Sequence, residues 1–344
     1  MAQLIRIDSQ RHGGGQALRV ALVLSAATGQ GFEVVGFRDR RLRPGLRSSH
    51  LAVVRAVGLA CGARVHGAFE GAREMRFEPG QVVPGDFEFE LAGEGSGTFV
   101  LQSLVSVLAR STTGSRLTVR GGTHLPQSPS FHFLARHWLS LVEPAGVSAR
   151  ATLARASFAA RGEGEMRTEI RAAQAAQPLL LDGRGALVEL RGVCGASGAG
   201  SDVACRMRDV AQGHFWEQRR LDSCWDVVDL PASSPGSFAQ IELVFERGRA
   251  ALNLLGERSV RPEVAAERLA RRVLRFLDGE ATVDRLVADQ LLVPMALSGA
   301  GGRLATDAVT DHLLGVAAVL ELFGFEVRAW GIKGGPGGVE VGRS

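Results

Sequence analysis

Apolar residues return along this chain with two periods. Some segments repeat them every three to four positions, as an amphipathic helix does; shorter ones alternate apolar and polar, as a strand with one face on a core does. Strand-like stretches are LIRID from Leu4, FEVVGF from Phe32, DFEFEL from Asp86, RLTVRG from Arg116 and MRTEIR from Met166. The helical segments fall into two sets. GQALRVALVLSAATG from Gly15, VLQSLVSVLARSTTG from Val100 and ADQLLVPMALSGAG from Ala288 share a glutamine, an aliphatic helix and a closing glycine. SSHLAVVRAVGLACGARV from Ser48, SPSFHFLARHWLSLVEPAGV from Ser128 and TDHLLGVAAVLELFGFEV from Thr310 share a hydroxyl or acidic start and a histidine. Each of the second set closes near a glycine and then a valine, a helix stop followed by a strand start.

The landmarks are evenly set. Gln16 and Gln102 lie 86 positions apart and His50 and His132 lie 82 apart, whereas Gln102 to Gln290 is 188 and His132 to His312 is 180. Both series require an insertion of roughly 100 residues between the second and third repeats, an ordinary small-domain size. The spacing therefore predicts an α/β chain of the α+β type, with three pseudo-repeated βαβαββ units, each a small sheet with two helices. These units are expected over 1–181 and 280–344, with a smaller α/β insert domain over 182–279. Within the insert the pattern predicts a strand at ALVELRGV and a helix from Ser201 to about Arg220. Strands at WDVVDL and QIELVF follow, then a helix opening at Pro262, where proline suits the first turn.

Composition narrows the class without choosing a function. Of 344 residues, 45% are hydrophobic and 22% charged, which argues against a disordered chain. Lys333 is the one lysine among 40 Lys and Arg residues, a bias that more often reflects genomic base composition than function, although arginine's planar fork does suit phosphate. Cys61, Cys194, Cys205 and Cys224 are too scattered for a zinc finger or a disulfide framework, which fits a reducing compartment. Charges such as Arg19 and Arg55 interrupt the apolar helices, and no signal segment leads the chain, so a cytoplasmic protein with no membrane partner is expected.

Four places could carry chemistry. Gly13, Gly14, Gly15 and Gln16 follow the first strand and open a helix, where backbone N–H groups can face an anion. The same glycines would also serve a plain turn; no Gly-Lys-Ser/Thr follows, so this is not a Walker loop. Between Phe37 and His50, five arginines (Arg38, Arg40, Arg41, Arg43 and Arg47) face one acid, Asp39, ahead of a helix expected to be capped by Ser48 or Ser49. That loop suits bidentate phosphate binding, or is simply a solvated basic loop. Thr310 is a good helix cap and puts His312 in the first turn, beside a buried stripe of Leu313, Val316, Ala317 and Leu320. The helix dipole there disfavours an imidazolium and leaves a ring nitrogen free as nucleophile or base, although a surface histidine would look the same. His50 and His132 hold the corresponding places, so the repeat does not choose among the three. Gln102, Asp289 and Gln290 sit on otherwise apolar helices and need partners, from ligand or backbone, if buried.

Together these segments resemble the RNA 3′-terminal phosphate cyclase family over nearly the whole chain. The resemblance rests on Asp8 to Gln16, on RPGL ahead of His50, on GSGTFVLQ from Gly95 and on GGTHLPQSP from Gly121. VADQLLVPMALSGAG from Val287 and DHLLGVAAVLELF from Asp311 are its most specific parts. It implies three pseudo-repeats with an insert domain, and a three-step reaction in which His312 takes AMP from ATP and passes it to the 3′-terminal phosphate of RNA. The neighbouring 2′-hydroxyl then closes a 2′,3′-cyclic phosphate. By the same resemblance ATP and a divalent metal, magnesium or manganese, are the cofactors, and RNA with a 3′-terminal phosphate is the partner. Carried over by position, Gln102, Leu286, Val287, Ala288, Asp289, Gln290 and Arg19 contact the nucleotide, with Asp289 nearest the histidine. Gln16, Arg38, Arg41 and His50 handle phosphates.

Two departures stand out. His12 occupies the place of a family glutamate associated with metal and phosphate, and Ser49 replaces a glutamine. Magnesium prefers oxygen ligands, so the first change bears on metal use. Two other readings share parts of the pattern. A non-catalytic, RNA-binding nucleolar branch lacks the nucleophilic histidine, which this chain keeps. Enolpyruvyl transferases share a similar repeated fold, but the ADQ segment and His312 speak against them.

Overall fold

The computed structural model describes residues 4–91, 95–198, 201–232 and 234–343. Its first unit runs β1 (Ile5–Asp8), α1 (Ser9–His12), α2 (Gly15–Thr28), β2 (Phe32–Val35), α3 (Ser48–Ala60), β3 (Arg64–His66) and β4 (Met75–Glu78). The second runs β5 (Asp86–Glu90), α4 (Gly97–Leu108), β6 (Ser115–Arg120), a π-helical turn at Phe133–Trp138 that continues into α5 (Leu139–Val142), then β7 (Ala149–Arg155) and β8 (Glu165–Ile170). A lone strand, β9 (Leu179–Leu181), opens the third unit. The chain then leaves to build β10 (Leu187–Ser197), α6 (Ser201–Arg219), β11 (Cys224–Asp229), β12 (Gly236–Phe245), β13 (Gly248–Leu255) and α7 (Pro262–Leu277). It returns as α8 (Arg285–Leu297), β14 (Gly302–Thr306), α9 (Asp311–Leu322), β15 (Val327–Gly331) and β16 (Gly337–Val341).

The repeat is visible in the strand order. The three sheets read β1-β2-β4-β3, β5-β6-β8-β7 and β9-β14-β16-β15 from the β9 edge. In each, the first pair is parallel, as a crossover helix demands, and the other pairs are antiparallel. β9 pairs with β14 across the intervening segment, Leu181 opposite Leu304. That segment forms a fourth sheet, β11-β10-β12-β13, covered by α6 and α7, with its own core around Leu190, Met207, Phe215, Ile241, Leu269 and Phe276.

Burial explains the arrangement. Each small sheet shows alternating exposure, for example Asp86, Glu88 and Glu90 outward with Phe87 and Phe89 half-buried, so only one face can be covered. The central helices α2, α4 and α8 are apolar nearly all round; α2 buries every residue from Val20 to Ala26. Such helices cannot lie on a surface and must surround one another. α2 accordingly packs against α3, α4, α8 and α9, and one continuous core joins all three units.

Three features differ from the sequence pattern. α3 begins at Ser48 with Arg47 at the N-cap, and the His50 ring reaches back to accept the Arg47 amide (N to Nδ1, 2.9 Å). Helix starts at Gly15 and Gly97 lie 82 residues apart, so Gln102 is matched in the first unit by Val20, and Gln16 sits one turn earlier. β13 was not foreseen: GRAALNLL has little β-branched content, and its strand form comes from pairing with β12 in register, Phe238 with Leu255 through Phe245 with Gly248.

Leu22, fully buried on α2, tests this packing. Leu22→Ala is expected to lower the unfolding free energy in urea by about 2–5 kcal/mol. Leu59→Ala, on the exposed side of α3, should change it by less than about 0.5 kcal/mol.

Candidate active site

The glycine run has a separate reason at each position. Gly13 (φ +95°) ends α1 in the left-handed region and Gly14 (φ +59°, ψ −123°) takes a second positive-φ conformation, which only glycine does cheaply. Gly15 is required by a neighbour instead: a Cβ would lie 2.7 Å from His50 Nε2. The start of α2 is therefore roofed by the His50 ring.

His50 reaches this place from the first turn of α3. Its Nδ1 accepts the Arg47 amide, so in the neutral ring the proton sits on Nε2, a donor facing the α2 terminus. Burial, then Arg19, Arg38 and Arg47, push its pKa down to about 4. The ring is thus neutral at pH 7 and acts as a hydrogen-bond donor within a cationic cluster.

The arginine loop is held by backbone. Gly45 N donates to the Phe37 carbonyl at 2.9 Å, Leu46 N to Ala72 at 2.8 Å and Gly71 N to Leu46 at 2.8 Å. A side chain at Gly45 would collide with the Gly71 backbone, which is why Pro-Gly stands there. Arg38 is a non-glycine residue at φ +56°, and its buried Nε has no partner. Burial and then the charges of Arg41 and Arg47 lower its pKa. Strain and like-charge repulsion in one loop are features that an anion would relieve. Arg40, Arg41 and Arg43 are exposed, while Asp39 is occupied by Arg73 at 3.5 Å and Glu70 by Arg47 at 3.7 Å.

On the other side of α2, side chains bridge units. The Gln16 amide donates to the Asp289 carboxylate on α8, and Gln102 Nε2 on α4 donates to Gln290 Oε1 at 2.7 Å. Arg19 stacks its guanidinium 3.7 Å above the Phe99 ring. Burial lowers Arg19 to about 10 against the pull of Asp289. Burial pushes the Asp289 carboxyl up to about 7, although Gln16 and Arg19 pull it down. Val287 and Ala288 are fully buried and offer a ligand only backbone. Leu286 is 44% exposed and borders a groove of about 790 Å³ with Arg272, Arg285, Trp330 and Leu252.

The three repeat histidines have different fates. His132 is buried, its Nδ1 2.9 Å from His124 Nε2, and stacks 4.2 Å from Phe238. His50 is the neutral donor above Gly15. His312 is exposed, in the first turn of α9, below a Thr310 cap whose hydroxyl accepts the Leu313 amide at 3.0 Å. One turn along, a Cβ at Gly315 would lie 2.8 Å from the His12 carbonyl, so α9 rests against the residue before the glycine turn.

The sequence pattern of "RNA 3'-terminal phosphate cyclase" matches residues 10–328. A protein of that name from Pseudomonas fluorescens is 37% identical over 311 residues, covering 90% of each chain. The chain belongs to the RNA 3′-terminal phosphate cyclase family. Among solved structures, EPSP synthase from Acinetobacter baumannii aligns over 99% of this chain and 65% of its own length, at 11% identity and a TM-score of 0.29. A likeness that weak carries no argument.

The cyclase family implies a divalent metal, and the described residues offer no cluster that would hold one without the substrate's own oxygens. Among the described residues no three His, Cys, Asp or Glu side chains converge to hold an ion. His12 commits Nδ1 to the Asp8 carbonyl at 2.8 Å, which leaves only Nε2. Among the described residues no helix is long and apolar enough to cross a membrane.

Sequence reasoning missed Phe99 under Arg19, the tautomer of His50 and the Gln16–Asp289 bond. Only the last had a signal, two polar residues on apolar helices.

Asp289 yields a test of this electrostatics. Between pH about 4 and 7 the folded carboxyl keeps a proton that the unfolded chain has lost, so stability falls as pH rises through that window. Asp289→Asn, which keeps an oxygen for Gln16, is expected to flatten that slope and raise the melting midpoint at pH 7 by several degrees, measured by thermal melts from pH 4 to 8.

Proposed function

We propose that this cyclase-family protein is an ATP-dependent enzyme that converts an RNA 3′-terminal phosphate into a 2′,3′-cyclic phosphate, with AMP carried on His312. The observation that carries the reading is an exposed histidine at a capped helix start, one turn before Gly315, which packs on the residue ahead of a glycine turn roofed by His50 of the arginine cluster.

Three displacements balance. A His312 ring nitrogen bonds the α-phosphorus of ATP while the bond to the β-phosphate oxygen breaks and pyrophosphate leaves. An oxygen of the RNA 3′-phosphate then bonds that α-phosphorus and the N–P bond breaks, which frees the histidine. Last, the 2′-oxygen bonds the terminal phosphorus, its proton passes to solvent and AMP departs. Splitting one displacement into several is covalent catalysis. Each step develops charge on phosphoryl oxygens, and the fixed donors here oppose it: Arg38, Arg41 and the Nε2–H of His50.

Asp289 and Gln290 present α8 to the nucleotide, and Gln102 and Gln16 hold them from neighbouring units. Arg19, pinned on Phe99, adds a fixed charge beside Asp289. Leu286 gives an apolar edge at the start of the same helix.

With α-labelled ATP the purified protein is expected to gain covalent AMP, and His312→Ala should lose it completely. Label that persists in this variant, located by mass spectrometry, would move the attachment site elsewhere and reject the reading. His12→Glu restores a carboxylate before the glycine turn and is expected to raise magnesium-supported labelling several-fold. A loss would instead give the imidazole a positive role.

A further inference from the structure

α8 contains a proline at position 294, inside Arg285–Leu297. Proline has no N–H, so the carbonyl four residues earlier, that of Gln290, loses its helical partner. An indole takes the vacant place: Trp138 Nε1 donates to the Gln290 carbonyl at 3.3 Å. Trp138 is buried and comes from the π-helical turn of the second unit.

The residue before it grips the other end of the same segment. Asp284 caps α8, its Oδ1 accepting Leu286 N at 2.9 Å and Val287 N at 3.2 Å, while Oδ2 accepts Ala251 N of β13 at 3.1 Å. His137 Nε2 faces that Oδ2 at 3.4 Å, and His137 Nδ1 faces Glu242 Oε1 of β12 at 3.7 Å. The ring is fully buried and neither nitrogen has a hydrogen bond of ordinary geometry. π-turns recur at functional sites, and this one aims two consecutive side chains at one helix.

We propose that His137 and Trp138 are positioning residues that set the register of α8 for the nucleotide, His137 through the Asp284 cap and Trp138 through the Gln290 carbonyl. The inference rests on the reading that α8 contacts ATP. It also gives the fourth sheet a part, since β12 and β13 hold Glu242 and the Ala251 amide against the same cap.

Charge decides how firmly the cap is held. Burial lowers the His137 pKa, but Asp284 and Glu242 outweigh it and the net shift is upward. Arg249 of β13 and Arg191 of β10 act on Glu242, and Arg272 of α7 acts on Asp284. The grip is complete while the ring is protonated and is lost as pH rises through its raised pKa. Deprotonation would turn one nitrogen lone pair toward a buried carboxylate.

The test compares wild type, Trp138→Phe, the double variant Trp138→Phe with Pro294→Ala, and Glu242→Gln. It measures equilibrium ATP binding against pH and the AMP-labelling rate at saturating ATP. Trp138→Phe orphans a buried carbonyl and is expected to weaken ATP binding about tenfold, with the saturated labelling rate within about twofold. Adding Pro294→Ala returns a backbone N–H to Gln290 and should recover most of the affinity, which a mere packing defect would not do. Glu242→Gln should bring the alkaline loss of ATP affinity down by about one pH unit.

Unchanged affinity in Trp138→Phe, or no recovery in the double variant, overturns the role of Trp138. An unmoved alkaline limb in Glu242→Gln overturns that of His137 and decides the matter even if Trp138→Phe does not fold. Wild type that binds ATP yet takes no AMP sinks the cyclase reading alone, whereas wild type that binds no ATP sinks both.

Discussion

Everything in this molecule depends on helices that have no polar face being forced into a common centre. α2, α4 and α8 are apolar nearly all round, so the three units can bury them only against one another. Any polar group on those helices then sits in a low-dielectric junction and must be paired there. Gln16 with Asp289 and Gln102 with Gln290 meet that demand, and each pair crosses between units. The same bonds that make the core acceptable therefore also fix how the units are turned toward each other.

That junction shapes the electrostatics around it. Asp289 is held near its titration point by desolvation, and Arg19 is lowered by the same cause. At the rim, burial and then the charges of Arg19, Arg38 and Arg47 keep the His50 ring neutral, while Arg41 and Arg47 crowd Arg38. A neutral donor among guanidinium groups is suited to a polyanion, because it adds a hydrogen bond without adding to the repulsion. The loop is kept in this unfavourable state by backbone bonds to Phe37, Ala72 and Leu46, with Arg47 alone of its crowded arginines paired, to Glu70.

The fourth sheet shows how an insertion can matter at a distance from the site. Its core is separate, yet β12 and β13 meet the cap of α8 through Glu242 and the Ala251 amide. α8 is thus tied at its start to one sheet and along its length to two helical units. A proline within it removes a local bond, and Trp138, 152 positions away in sequence from Gln290, supplies the replacement.

Local periodicity alone indicated the helices, many of the strands and the threefold repeat, because helix and strand periods and glycine stops are short-range properties. It also located the glycine turn, the arginine loop and the Thr310 cap of His312. Only the tertiary structure separated three equivalent histidines into a buried pair member, a neutral donor and an exposed ring. It likewise showed that Gln16 is one turn out of step with Gln102, and that Gly15 is glycine because of His50. The contact of Gly15 with His50 and the Gln16–Asp289 bond bring together groups 35 and more than 270 positions apart. Burial and pairing at such separations follow from packing, which no local pattern encodes.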